Sequence, residues 1–161
     1  MHFISYDPAF VARVRAGGPD ANGQPAERAT SDGVGVPCRS CLHDVPAGED
    51  YLILAARPFP ALQPYAELGP IFLCARDCVS WEGPGLPPIL ATAPDYLIKG
   101  YTSDHRIRYG TGAVVPADRL EAEIAGRLSD PAIAFVDIRS ARNNCFQTRA
   151  VRDGAAEPVI R

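Results

Sequence analysis

The sequence predicts an α+β fold: a mostly antiparallel sheet with two or three short helices. Three observations lead there. Short apolar runs bounded by Gly, Pro and Asp read as strands closed by turns. Two segments carry apolar residues at helical spacing instead. Neither type forms the regular strand–helix alternation of a parallel sheet, so sheet and helices segregate.

Residues 2–5 read as a first strand. A short helix follows, with Asp7 as its cap, Pro8 at its first position and Phe10, Val11 and Val14 on one face. Gly17-Gly18 stops it. Residues 16–33, AGGPDANGQPAERATSDG, lack apolar periodicity and read as a long mobile surface loop. After a turn at Pro46 to Gly48, YLILAA (51–56) and PIFLC (70–74) are strand candidates. Residues 80–95 form a second long loop. YLIKGY and HRIRYG, flanking TSD, read as an antiparallel hairpin. Leu120, Ile124 and Leu128 recur every fourth residue, which marks an amphipathic helix closed by Pro131. Its acidic residues Asp118, Glu121 and Glu123 lie toward the start and Arg127 toward the end, as the helix dipole favours. AIAFVDIRSARNNCFQTRAVR then gives two strands around an Arg-Asn-Asn turn.

At 161 residues the chain fits one domain over 1–161 with a core that needs no staples. Hydrophobic residues at 47% and charged residues at 22% place it among soluble globular proteins. The start, MHFISYDPAF, has no basic region followed by an apolar run, and no segment reaches the ~20 apolar residues of a membrane span. The expectation is a cytoplasmic protein without membrane attachment, whose cysteines stay reduced. A net charge of -3 argues against general nucleic-acid binding. The acidic excess lies in residues 1–98, and residues 99–161 are mildly basic.

The chemistry concentrates in the cysteines. Four of the five form two close pairs, Cys38-x-x-Cys41 and Cys74-x-x-x-Cys78. Such pairs serve as metal ligands, as redox couples, or as small core residues. Two pairs favour a metal, because a structural zinc takes four ligands in a tetrahedron. Arg39, Ser40, Arg76 and Asp77 around them make poor apolar surroundings. His43, two residues after Cys41, would strain the knuckle as a ligand and is expected to be exposed. A knuckle, a hairpin and then Cys78 opening a short helix over residues 79–82 resembles the treble-clef class of zinc finger. The 32 residues between Cys41 and Cys74 exceed the usual ~15–20, which a Pro-rich insertion over 57–70 accounts for. The cofactor expected is zinc, in a closed and therefore structural site.

From about Gly35 to Arg152 the chain resembles a bacterial family known as domain of unknown function 1203. The stretches that carry the resemblance are PCRSCLHDVPAGEDYLIL, RPFPALQPYAELGPIFLC, RIRYGTG and FVDIRSARNNCF. It implies a family identity and no activity.

A second candidate site lies in RSARNNCFQTR. Arg139, Arg142, Asn143 and Asn144 sit near a turn, and Arg106 and Arg108, two apart on a proposed strand, face one side. Converging guanidiniums and amides suit a carboxylate or phosphate; alternatively they solvate an exposed face. The glycines of YGTGAV read as a turn rather than a phosphate loop. Cys145, flanked by Arg142 and Arg149, is a candidate reactive thiol or a core residue. With three histidines and no conspicuous carboxylate pair, no Ser-His-Asp arrangement can be written. The sequence therefore supports a zinc-stabilised binding or interaction module whose Arg-rich turn meets a small anion or a protein partner. The competing reading is a small enzyme, either thiol-based through Cys145 or acting on an anionic metabolite.

Overall fold

The computed structural model describes residues 1–156, 158 and 160. Its elements in chain order are β1 (His2–Ile4), α1 (Pro8–Arg15), β2 (Glu27–Thr30), β3 (Asp50–Ala56), β4 (Gly69–Cys74), β5 (Asp95–Tyr101), β6 (Ala113–Pro116), α2 (Leu120–Leu128), β7 (Phe135–Ser140) and β8 (Phe146–Val151). A five-stranded antiparallel sheet has the order β1-β8-β7-β5-β6, and a three-stranded antiparallel sheet the order β2-β3-β4. The fold is α+β, as predicted. Among the described residues no helix is long and apolar enough to cross a membrane.

The two helices form for the local reasons the sequence shows. Asp7 accepts a hydrogen bond from the Ala9 N–H, Pro8 opens α1, and Phe10, Val11 and Val14 are buried. Gly17, at φ +86°, ends it in the left-handed region that glycine enters without strain. In α2, Leu120, Ile124 and Leu128 are buried against Ile98, Val136, Ile138 and Ala150 of the large sheet. The opposite face of that sheet meets the small sheet, α1 and residues 57–68. Phe146 of β8 joins Phe10, Leu54, Ile71 and Leu73 in one cluster. Phe59 joins Tyr101, Phe135 and Val151 in another. Covered on both sides, β8 buries every residue.

Two expectations need correction. Residues 16–33 are not wholly loop: they contain a hydrogen-bonded turn at Asp20 and the strand β2. The Asp20 carboxylate accepts hydrogen bonds from the Asn22, Gln24 and Ala55 N–H groups at 2.8, 3.0 and 2.8 Å. Beyond this anchor, Glu27–Thr30 pairs with β3 as an edge strand. Its sequence, ERAT, has no apolar face to read because three of its four residues are exposed. Residues 80–95 stay irregular except for a 3-10 turn over Pro88–Ala91 and the first residue of β5.

The second correction concerns the hairpin around TSD. β5 pairs with β6 over Asp95 to Ile98, whereas residues 105–110 meet it only at a Tyr101–Ile107 bridge. The Thr111 hydroxyl accepts the Gly100 N–H at 3.0 Å, taking a position that a continuing strand's carbonyl would fill. Gly110, at φ +89°, redirects the chain so that pairing resumes at Ala113.

Candidate metal centre

Cys38 and Cys41 lie in a tight knuckle that precedes the β3–β4 hairpin. The Cys38 N–H donates to the His43 carbonyl and the Leu42 N–H to the Cys38 carbonyl, each at 2.9 Å. Leu42 adopts φ +55°, a strained value for a leucine, and its side chain is fully buried. The core thus holds the turn closed. The Arg39 N–H donates to the Phe72 carbonyl at 3.0 Å, which lays the knuckle beside β4. Cys74 ends that strand and Cys78 follows four residues later.

The four Sγ atoms lie within 4.8 Å of one another. Cys38–Cys78 and Cys41–Cys74 are both 3.9 Å apart, and all four cysteines are free thiols. A disulfide would need about 2.05 Å. A tetrahedron with metal–sulfur bonds of about 2.3 Å places its sulfurs roughly 3.8 Å apart, so the cluster already has the size of a metal's coordination shell. Cys38, Cys41 and Cys74 are buried and Cys78 is partly exposed.

The surroundings favour thiolates. The Cys74 N–H donates to Cys38 Sγ at 3.2 Å, and Arg15 Nη2 donates to Cys78 Sγ at 3.0 Å. Arg15 Nε also holds the Cys74 carbonyl at 3.0 Å, so the end of α1 braces the second cysteine pair. Hydrogen bonds from Cys41 and Cys74 pull the Cys38 thiol down to about 6. Cys78 is likewise held well below the usual thiol range by hydrogen bonds, that from Cys38 foremost. Cys41 and Cys74 are pushed up, chiefly by their hydrogen bonds with Cys38. Four adjacent thiolate charges repel one another, so two of the thiols resist ionisation while the site holds no metal; a divalent cation there would take the place of their protons.

His43 is exposed; its Nδ1 lies 2.8 Å from the Cys41 carbonyl and its ring 5.6 Å from Trp81. No helix follows Cys78: residues 78–83 are irregular. The treble-clef likeness therefore stops at knuckle and hairpin. Trp81 and Gly83 fold back on one another there, and two prolines follow at 87 and 88.

The arginines of the second candidate site are dispersed. Arg139 is buried on β7; its Nη1 donates to the Asn144 carbonyl at 3.0 Å and its Nη2 lies 2.6 Å from Glu67 Oε2. Arg142, Asn143 and Asn144 are exposed at the turn, with Asn144 at φ +58°. Arg106 Nη1 donates to Gln63 Oε1 at 3.2 Å, its guanidinium lying over the Tyr65 ring, and Arg108 is exposed. Residues 57–68 thus separate Arg106 from Arg139, each meeting a different residue of that segment. Cys145 is partly exposed, and Arg149 is not beside it as a free charge. Arg149 is fully buried against Asp137.

A family model described as "Protein of unknown function (DUF1203)" matches residues 35–152. The chain belongs to this family. Comparison with curated proteins and with solved structures finds no match. The DUF1203 match contains all four clustered cysteines, Glu67, Lys99 and Arg139, whereas α1 with Arg15 precedes it.

Sequence reasoning missed Arg15, Glu67, Lys99 and the Asp137–Arg149 pair. For the pair a signal existed: counting outward from the Arg-Asn-Asn turn puts residue 137 opposite 149, as observed. For Arg15 and Glu67 there was none, since both reach their partners only through tertiary packing.

Proposed function

We propose that this DUF1203 protein is a zinc-stabilised binding module, with zinc held by Cys38, Cys41, Cys74 and Cys78 as a structural ion. The observation that carries this reading is the gathering of four sulfurs within 4.8 Å from two separate segments. Four thiolates are a soft, tetrahedral donor set that suits zinc and leaves no position for substrate. The ion would staple the knuckle to the end of β4 and, through Arg15, to α1.

The contact surface would be the β7–β8 turn, where Arg142 and Asn143 are exposed beside the buried Arg139. A small anion or the acidic surface of a protein partner suits that set. X-ray absorption at the zinc edge tests the metal assignment. Four sulfur scatterers at about 2.3 Å support it; nitrogen or oxygen in the first shell overturns it.

A further inference from the structure

Beside Arg139 lies a half-enclosed cavity of about 130 Å³ whose lining divides by chemistry. Its apolar lining includes Ala56, Ile71 and Phe146, each buried. Its polar lining includes Arg139, Glu67 and the turn residues Asn143 and Asn144. Arg139 is 4% exposed, and its Nε has no hydrogen-bond acceptor among the described residues.

The charges around it do not balance. Lys99 Nζ lies 2.9 Å from Glu67 Oε1 and Arg139 Nη2 lies 2.6 Å from Glu67 Oε2, so one carboxylate serves two cations. The neighbouring Asp137 is taken by Arg149. The linked set therefore holds one positive charge in excess, at a place where an uncompensated charge is costly.

We propose that this cavity binds a free short-chain monocarboxylate, its carboxylate on Arg139 and its tail against Ala56, Ile71 and Phe146. One negative charge completes the balance; a dianion would exceed it and would meet the Glu67 carboxylate. The size fits as well, because a cavity of about 150 Å³ accepts a ring the size of benzene, so acids of roughly three to five carbons fill this one. Glu67, at the edge of the same cavity, competes for Arg139 and holds the affinity down. This inference rests on the reading of the β7–β8 turn as the contact surface and gives that surface a ligand class.

The test is titration of zinc-loaded, ¹⁵N-labelled protein with sodium butyrate, against sodium chloride and sodium phosphate at equal ionic strength. Butyrate is expected to produce saturable amide shifts at Ile71 and at residues 143–146. In Glu67→Gln the same shifts should saturate at a severalfold lower concentration, and the dispersion of the spectrum reports that the variant is folded. Butyrate shifts that stay linear in parent and variant alike overturn the proposal. If anions move only the exposed Arg142 and Asn143 amides, with butyrate no different from phosphate, the contact surface stands and the carboxylate cavity is overturned. No shift with any anion overturns both.

Discussion

Asp137 and Arg149 face one another across the β7–β8 ladder with neither side chain exposed to solvent. Arg149 Nε and Nη2 meet the two carboxylate oxygens at 2.6 and 3.1 Å, and Nη2 also donates to the Pro58 carbonyl at 2.8 Å. The guanidinium lies over the rings of Phe59 and Phe135 at 5.2 and 3.8 Å. One buried cation thus joins the large sheet to the segment that carries Glu67.

Breaking this pair should destabilise the fold far more than removing it whole. Arg149→Met leaves Asp137 buried without its partner, at an expected cost of about 3–5 kcal/mol. The double variant Asp137→Leu/Arg149→Met should recover most of that loss, because two apolar chains replace two desolvated charges. Urea denaturation of the single and double variants checks this. A double variant no more stable than Arg149→Met would contradict it.

Asp20 should make the anchoring of residues 16–33 dependent on pH. Burial raises its pKa, but the N–H groups of Gln24, Ala55 and Asn22 outweigh that and hold the carboxyl below its usual value. A folded pKa below the unfolded one means stability that is fully present above the unfolded value, about 3.9, and lost as pH falls through the folded one. Asp20→Ala should cost about 1–2 kcal/mol near neutrality. The gap between parent and variant should close in that acid window. Thermal melts from pH 7 down to pH 2 measure it, and a gap independent of pH would count against the anchor.

Arg15 is expected to matter to the metal although it is not a ligand. Its guanidinium reaches both Cys78 Sγ and the Cys74 carbonyl, and groups that orient ligands in this way are worth about 10–100-fold in metal affinity. Arg15→Ala should therefore bind zinc that much more weakly while keeping one ion per chain. Competition against a chromophoric chelator reads the change; equal affinities would show that α1 does not brace the site.

Cys145 is the one thiol outside the cluster. In the zinc-loaded protein, iodoacetamide should modify one thiol per chain, at Cys145. All five should react after chelation and denaturation, since thiolates bound to metal are shielded. Peptide mass spectrometry identifies the site. Early modification of Cys78 in the loaded protein would contradict the four-cysteine assignment.

How much of this was legible follows from how local each signal was. α1, α2 and the β7–β8 turn could be read because caps, four-residue spacing and turn chemistry sit within a few positions. β2 could not, since an exposed edge strand needs no apolar alternation. The partner of β5 was misplaced because Thr111 and Gly110 interrupt a hairpin whose apolar residues looked continuous. The four cysteines were found from spacing alone. The arginines were grouped by sequence, whereas the fold distributes them: Arg149 to the interior, Arg139 to Glu67 and Arg106 to Gln63. Alternation along β8 could not place Arg149, because both faces of that strand are covered.

The central claim is that Cys38, Cys41, Cys74 and Cys78 hold one structural zinc. Elemental analysis of untagged protein purified without chelator, beside Cys78→Ser, tests it most directly. The expected result is about one zinc per chain in the parent, and in the variant a loss of metal together with a lower melting temperature. Parent protein without metal and with five thiols titratable in the native state would contradict it.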